Sequence, residues 1–254
     1  MQLLAKLSLA VVFASSFVGS LAKPLNTTLI TRAAAQVITK CTVPNTVAIT
    51  FDDGPYEYIT DISNALTRVG AKATFFVNGN NFRCIYSADS QARLKYIYDN
   101  GHQVASHTWG HKDLNTLSWD QVHDEMWRVE QALQRILGVT PAFMRPPFGN
   151  YNDNVRNVAG ARGQKIANWD FDSRDASGAS AAESKQLYDQ VIAQRPSTIL
   201  TLNHETHDTT AYDVLPYAIQ KLQAAGYRLV TVAECLGEQP YQSVGSPQTP
   251  DVSK

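Results

Sequence analysis

From Thr46 onward the chain alternates short apolar runs with helical patterns. Val47-Ala48-Ile49-Thr50-Phe51 is a run of the kind that forms a buried strand, and it stops abruptly at Asp52-Asp53-Gly54-Pro55. Ile59, Ile62, Leu66 and Val69 then recur near helical spacing, up to Gly70. Residues 73–77 form a second strand pattern, ended by Asn78-Gly79. Leu94, Ile97 and Tyr98 stripe another helix, stopped by Gly101, and 102–106 is a short third strand. The clearest helix is predicted over 119–137. Trp119, Val122, Met126, Val129, Leu133 and Ile136 alternate spacings of three and four, Ser118 with Gln121 makes a capping box, and Gly138 terminates. That stripe is assigned to the core. Further strands are predicted at 142–145, 165–169, 198–202 and 229–232, with helical patterns at 182–193 and 214–225.

Seven strands alternating with helices imply βα units and a parallel sheet. The fold class is therefore α/β: a single distorted (β/α) barrel, closed or partly closed, of about seven parallel strands. No linker-like stretch divides it. Neither common glycine-rich phosphate loop occurs, which argues against nucleotide binding.

Composition narrows the partners. The 254 residues carry 22 Lys+Arg against 23 Asp+Glu, a net charge of −1, and no basic run, so nucleic acid is an unsuitable partner. The first 22 residues have a lysine, Lys6, before a mostly apolar stretch ending in Ser20-Leu21-Ala22; they are expected to be a secretory signal peptide rather than a membrane anchor. Residues 23–40 are then an N-terminal segment and 238–254 a polar tail, without the hydrophobic end of a lipid-anchor signal. A secreted or cell-wall protein, monomeric and without a membrane partner, is expected. Secretion permits a disulfide among Cys41, Cys84 and Cys235. Pairing Cys41 with Cys235 would tie the two ends of the domain together and is favoured, although sequence alone leaves the other pairings open. Asn26-Thr27-Thr28 is an N-glycosylation sequon.

The reactive residues follow the strands, and in a βα barrel the strands' C-terminal ends build the active-site rim. Thr50-Phe51-Asp52-Asp53-Gly54-Pro55 sets two adjacent carboxylates at a strand end. One is suited to ligating a metal while the other stays free as a base, although Asp-Asp-Gly-Pro is also good turn chemistry. His107-Thr108-Trp109-Gly110-His111 places two histidines at i and i+4, on one face if the segment makes a helical turn. With Asp53 they give an Asp-His-His set that leaves a fourth position open, the layout of a catalytic zinc site. Arg145, beside Pro146-Pro147, is placed to pair with a carboxylate and keep it ionised. Asp170, Asp172 and Asp175 follow another strand, so one of them is placed to orient a histidine. His204, after the apolar run 199–202, is placed to act as a general acid.

In this order the five places resemble the polysaccharide deacetylases of the NodB-homology family, carbohydrate esterase family 4, over roughly residues 41–237, and most of all its fungal chitin deacetylases. The T-F-D-D-G-P and H-T-W-G-H pair is the most specific part of the match. The resemblance implies hydrolytic N-deacetylation of N-acetylglucosamine units in chitin or its oligosaccharides. It implies Asp52 as general base and Asp53, His107 and His111 as ligands of Zn²⁺, with Co²⁺ or another divalent metal as substitutes. Arg145 would orient Asp52, and the backbone N–H of Phe148 would help hold the oxyanion. Asp175 would tune His204, the general acid. Trp109, Phe148, Tyr151 and Trp169 are candidates for stacking on sugar rings, with core packing the alternative for Phe148 and Trp169. Three positions depart from the family pattern: Phe148 for the usual Tyr, Ala176 after Asp175 where an aromatic residue is common, and Glu205 after His204 where Asp is usual. Deacetylation of acetylxylan or peptidoglycan is the alternative on the same fold. A serine esterase is disfavoured because G-x-S-x-G is absent. A non-catalytic carbohydrate-binding protein is disfavoured because base and acid are both present.

Overall fold

The computed structural model describes residues 33–248. The expected signal peptide and the Asn26 sequon lie outside them. Twelve strands occur among the described residues. They are β1 (Val37–Ile38), β2 (Thr46–Ala48), β3 (Thr50–Gly54), β4 (Thr74–Val77), β5 (Gln103–Ser106), β6 (Val139–Pro141), β7 (Phe143–Met144), β8 (Lys165–Ala167), β9 (Phe171–Asp172), β10 (Thr198–His204), β11 (Arg228–Val230) and β12 (Tyr241–Val244). The helices are α1 (Ile59–Thr67), α2 (Ala88–Asp99), α3 (Trp119–Leu137), α4 (Asp153–Ala161), α5 (Ala181–Ala193), α6 (Leu215–Ala224) and the short α7 (Val232–Leu236).

The main sheet runs β1-β8-β7-β5-β4-β3-β10-β2-β11, with β9 on β10, and every pairing in it is parallel. The chain leaves β8 and three residues later enters β9, which pairs with β10. The path from β8 through β7, β5, β4, β3 and β10 thus returns on itself as a distorted barrel. All seven expected strands are present. The first is split at Ile49: β10 is long enough to pair with β2 at one end and β3 at the other.

The side chains sort by strand alternation. Phe75 and Val77 of β4 face the helices, joining Phe51, Leu66, Leu94 and Leu133. Phe76 points to the other face, with Ala48, Ala105, Phe143, Ala167 and Leu200, and these fill the barrel. Both faces are apolar, so the strands carry nearly continuous hydrophobic runs.

Several expectations need correction. α1 ends at Thr67, and Val69 beyond it is exposed. Trp119, assigned to the core stripe, is 44% exposed and stacks on His123 instead. It occupies the first turn of α3, before the stripe meets the barrel. The α3 capping box and its glycine terminator are as expected. Helix α4 was not predicted, although Val155, Val158 and Ala159 give it a short buried stripe and Asn152 caps it. The paired structure also extends past 41–237. β1 adds to β8, and β12 pairs antiparallel with β6, so parts of both flanking segments belong to sheets. Gly160 of α4 lets the segment before β1 pass close by, because a Cβ there would lie 2.1 Å from the Ala33 carbonyl.

Cys41 and Cys235 form a disulfide, with Cα atoms 5.2 Å apart, and Cys84 is free. Among the described residues no helix is long and apolar enough to cross a membrane.

Candidate active site

The two carboxylates at the end of β3 reach one site because the strand bulges. Asp52 pairs with Phe76 and Gly54 with Val77, so Asp53 is an extra residue on the β3 side. Asp53 has a positive φ of 75°. Without the bulge, successive side chains would point to opposite faces of the sheet.

Asp52 is buried and held by a charge. Arg145, at the end of β7, is fully buried, and its Nη1 donates to Asp52 Oδ1 at 2.8 Å and to the Thr50 hydroxyl at 2.6 Å. Nε and Nη2 donate to the carbonyls of Ala167 and Asn168, at 2.8 and 2.9 Å. The guanidinium lies 4.2 Å above the Phe76 ring. A buried guanidinium with these partners is fixed in place and sets its charge against the Asp52 carboxylate. Asp52 Oδ1 is occupied, and Oδ2 is the oxygen nearer His107, 3.8 Å from its Nε2.

Asp53, His107 and His111 each offer one ligand atom, all within 4.8 Å of one another. Asp53 Oδ1 is 3.6 Å from His107 Nε2 and 3.3 Å from His111 Nε2. The His107 Nδ1 donates to the Arg145 carbonyl at 2.8 Å, so Nε2 is the nitrogen that faces the cluster. Burial, and then the neighbouring His107, lower the pKa of His111, so His111 favours the neutral form that binds metals. Two imidazole nitrogens and one carboxylate oxygen, with Nε2 presented by a fixed tautomer, fit a divalent cation of the zinc type.

The histidines do not meet through a helical turn. Residues 107–111 form an irregular loop in which Thr108 and His111 have φ of 69° and 52°. Glu125 of α3 holds this loop. Its carbonyl accepts from the Trp109 N–H at 2.8 Å, its carboxylate accepts from the Gly110 N–H at 2.7 Å, and Lys112 closes on it at 2.9 Å. Of seven non-glycine residues with positive φ among the described residues, five (Asp53, Thr108, His111, Phe148 and Arg174) carry or adjoin candidate site residues. Strained backbone of this kind persists where surrounding structure enforces it, and it concentrates at functional sites.

His204 ends β10 and is the register partner of Asp52 on β3. Its Nδ1 donates to Asp175 Oδ1 at 2.8 Å, and its backbone N–H donates to Oδ2 at 2.7 Å. The Thr210 hydroxyl donates to the same Oδ2 at 2.8 Å. Burial works to lower the His204 pKa, but the hydrogen bond and charge of Asp175 outweigh it, with Asp52 and Asp53 adding, and raise it to about 9. Burial likewise pushes Asp175 up, and its bonds from His204 and Thr210 bring it below the usual range. Asp170 and Asp172 do not join this group. Asp170 accepts from the Leu200 N–H at 2.7 Å, and Asp172 accepts from the Arg174 N–H at 2.7 Å.

The proposed sugar-stacking residues divide. Phe148 is 64% exposed, and its ring meets that of His111 edge-on at 4.9 Å. Tyr151 is also exposed. Trp169 is half-buried, with Arg145 5.5 Å from its ring. Trp109 is not an open ring. Arg128 lies 3.9 Å over it, and it fills the space a Cβ at Gly79 would take, at 1.9 Å. Sequence reasoning missed the supporting residues Glu125 and Thr210, which carry no motif signal. It noted Glu205 only as a departure. Glu205 is fully buried, accepts the Tyr56 N–H at 2.7 Å, and burial raises its pKa well above the usual range.

The comparisons with known proteins agree with this geometry. Residues 39–167 match the polysaccharide deacetylase family model. The chain is 35% identical over 231 residues to a chitin deacetylase of Pestalotiopsis sp, covering 91% of this chain and 77% of that protein. The structure of the chitin deacetylase from the fungal pathogen Colletotrichum lindemuthianum superimposes with a TM-score of 0.78 at 30% identity, over 87% of this chain and 99% of that one. A crystal structure of a peptidoglycan N-acetylglucosamine deacetylase gives 0.74 at 27% identity, over 82% and 96%. The chain belongs to the polysaccharide deacetylase family.

Proposed function

We propose that this protein is a metal-dependent chitin deacetylase, which hydrolyses the acetamide of N-acetylglucosamine units in chitin or its oligosaccharides to acetate and a free amine. The observation that carries this reading is the position of Asp52 and His204 as register partners on adjoining strands, beside the Asp53–His107–His111 cluster. The relatives named chitin deacetylase support the substrate. Peptidoglycan deacetylation is the second reading, and the lower identity of that structure favours it less.

Asp53, His107 and His111 would hold the cation, with Zn²⁺ preferred and Co²⁺ or another divalent ion able to substitute. When bound it supplies Lewis acidity toward a carbonyl oxygen and a water. The chain's own residues then have defined tasks. Asp52, held through Oδ1 by Arg145, takes a proton through Oδ2 from the water that attacks the acetamide carbon. The Phe148 N–H donates to the oxyanion of the tetrahedral intermediate. His204, its Nδ1 bound to Asp175, delivers the proton on Nε2 to the amide nitrogen. An amine leaves poorly unless protonated, so the C–N bond breaks as that proton arrives. Phe148, Tyr151 and Trp169 offer rings to the sugar. Secretion through the N-terminal 22 residues belongs to the same reading, and the Cys41–Cys235 disulfide supports it.

The test is acetate release from chitin oligosaccharides, with acetylxylan and peptidoglycan in parallel, before chelation, after it, and after adding Zn²⁺ or Co²⁺. Release from the chitin oligomers that chelation stops and metal restores is expected. Release that survives complete chelation would overturn the mechanism. Release from another glycan alone would replace the substrate.

A further inference from the structure

Phe148 stands in a backbone conformation that its residue type does not favour. Its φ of 61° and ψ of 6° put a bulky side chain in the left-handed region, inside the tight turn Pro147–Gly149. Only surrounding structure keeps such a residue there. The turn follows β7, which pairs with β5 on one side and β8 on the other. The loop after β5 carries His107 and His111, and the loop after β8 begins at Asn168. Each of these neighbouring loops reaches the turn by a side-chain hydrogen bond.

From the β5 side the partner is Asp113, two residues after His111. The Asn150 Nδ2 donates to Asp113 Oδ2 at 3.1 Å. Asp113 Oδ1 accepts from the Asn115 N–H at 3.1 Å and so caps the helical turn Leu114–Thr116. Asp113 is thereby fixed from its own side and offers Asn150 a stationary acceptor. The backbone N–H of Asn150 donates to the Pro147 carbonyl at 3.1 Å, which closes the turn around Phe148. From the β8 side, Asn168 Nδ2 donates to the Gly149 carbonyl at 3.1 Å, and the Asn168 carbonyl accepts from Arg145. Both bonds take hold immediately after Phe148, at residues 149 and 150. The amide plane that carries the Phe148 N–H joins Pro147 to Phe148. If φ at Phe148 relaxes, that plane swings relative to the residues that follow, and the N–H turns with it. A preorganised donor is effective only while its direction is held.

We propose, taking the site as that of a deacetylase, that Asn150 and Asp113 are positioning residues for the oxyanion donor. Their hydrogen bond ties the turn at Phe148 to the loop of the two metal-ligating histidines and holds Phe148 left-handed, with its N–H directed at the oxyanion. The two sides of oxyanion stabilisation, cation and amide, are thereby kept in register. The pair acts through Phe148 on the chemical step.

The test measures acetate release from a chitin oligosaccharide at saturating Zn²⁺ by the full chain, by Asn150→Ala, by Asn150→Asp, and by the exchange of Asp113→Asn with Asn150→Asp. The exchange keeps the bond with its ends reversed. The amide oxygen placed at 113 still accepts from Asn115, and the amide nitrogen donates to the carboxylate placed at 150. Losing an oxyanion donor outright costs about 10²–10³-fold in kcat, and loosening one costs less. Each Asn150 variant is expected to lose roughly tenfold in kcat with KM little changed. Asn150→Asp should lose the more, because it sets two carboxylates against each other, and the exchange should regain most of the loss. Zn²⁺ affinity, measured by competition with a chelating dye, should stay at the wild-type value in Asn150→Ala. Thermal unfolding verifies that the variants are folded. Wild-type kcat in both Asn150 variants, a loss that the exchange does not recover, or a loss that follows Zn²⁺ affinity would each overturn the proposal and leave the deacetylase reading standing. If the wild type releases no acetate, that reading fails. Hydrogen exchange at the Phe148 N–H then decides the hold alone: faster exchange in Asn150→Ala, slowed again by the exchange variant, supports it, and an unchanged rate ends it.

Discussion

His204 gives both its Nδ1 proton and its backbone N–H to the two oxygens of Asp175, at 2.8 and 2.7 Å. The carboxylate therefore fixes where the imidazole stands and which nitrogen faces the site, and it supports the charged form.

That relationship has a consequence for pH. A general acid must be protonated, so activity falls as pH rises through its pKa. Asp175 and the other nearby carboxylates overcome the effect of burial and hold His204 up to about 9. The alkaline limb of kcat/KM should lie well above the ordinary histidine value of about 6.5. Asp175→Asn removes the charge and leaves burial dominant, so the limb should move down, and kcat should fall about 10²-fold or more. An unmoved alkaline limb in this variant would assign it to another group.

Thr210 is predicted to act through Asp175. Its hydroxyl donates to Oδ2 at 2.8 Å from the first residue of a π-helical turn, Thr210–Val214. Such turns reposition side chains and recur at functional sites. A hydrogen bond to a charged group contributes about 1.5–3 kcal/mol, so Thr210→Val should lower kcat roughly tenfold or more with KM little changed. Thr210→Ser keeps the donor and should retain most of kcat. Equal losses in Val and Ser variants would mean that packing, rather than the hydroxyl, is what matters.

Much of the site was legible because its residues sit where apolar strand runs stop, as at Phe51 before Asp52 and Leu202 before His204. The strands were legible because both faces of the sheet are buried. The geometry that unites the ligands was not. No local periodicity encodes the bulge at Asp53 or the positive φ at Thr108 and His111, and the loop that carries the last two is held from outside by Glu125 of α3. The i,i+4 histidine spacing suggested a helical turn, yet hydrogen bonds from Trp109 and Gly110 to Glu125 override that local preference. That Trp109 packs under Arg128 and against Gly79 could not be read from its motif, because both partners are distant in sequence.

Glu125 should control metal affinity without touching the metal. Its carboxylate and carbonyl fix the Gly110 and Trp109 amides between the two histidines. Outer partners of this type typically change affinity by about 10–100-fold. Glu125→Ala should weaken Zn²⁺ binding by that order, measured by competition with a chelating dye. Glu125→Gln, whose amide oxygen still accepts from Gly110, should weaken it much less. Wild-type affinity in Glu125→Ala would remove Glu125 from this role.

Gly54 and Glu205 should show coupled effects. A Cβ at Gly54 would lie 1.9 Å from Glu205 Oε1, the atom that accepts the Tyr56 N–H at 2.7 Å. Gly54→Ala must therefore displace the carboxyl group that anchors the turn after Asp52 and Asp53. Glu205→Ala removes the anchor and leaves the partly buried Tyr56 N–H without its acceptor, a loss of about 1 kcal/mol. In the double variant the methyl group at residue 54 has no Oε1 to strike. The stability losses should then sum to less than those of the two single variants, by about 1 kcal/mol or more, in urea unfolding. Each single variant should also lower kcat, because both loosen the turn that follows Asp52 and Asp53. Strict additivity would mean that the turn absorbs the methyl group elsewhere, and that Glu205 and Gly54 hold the loop independently.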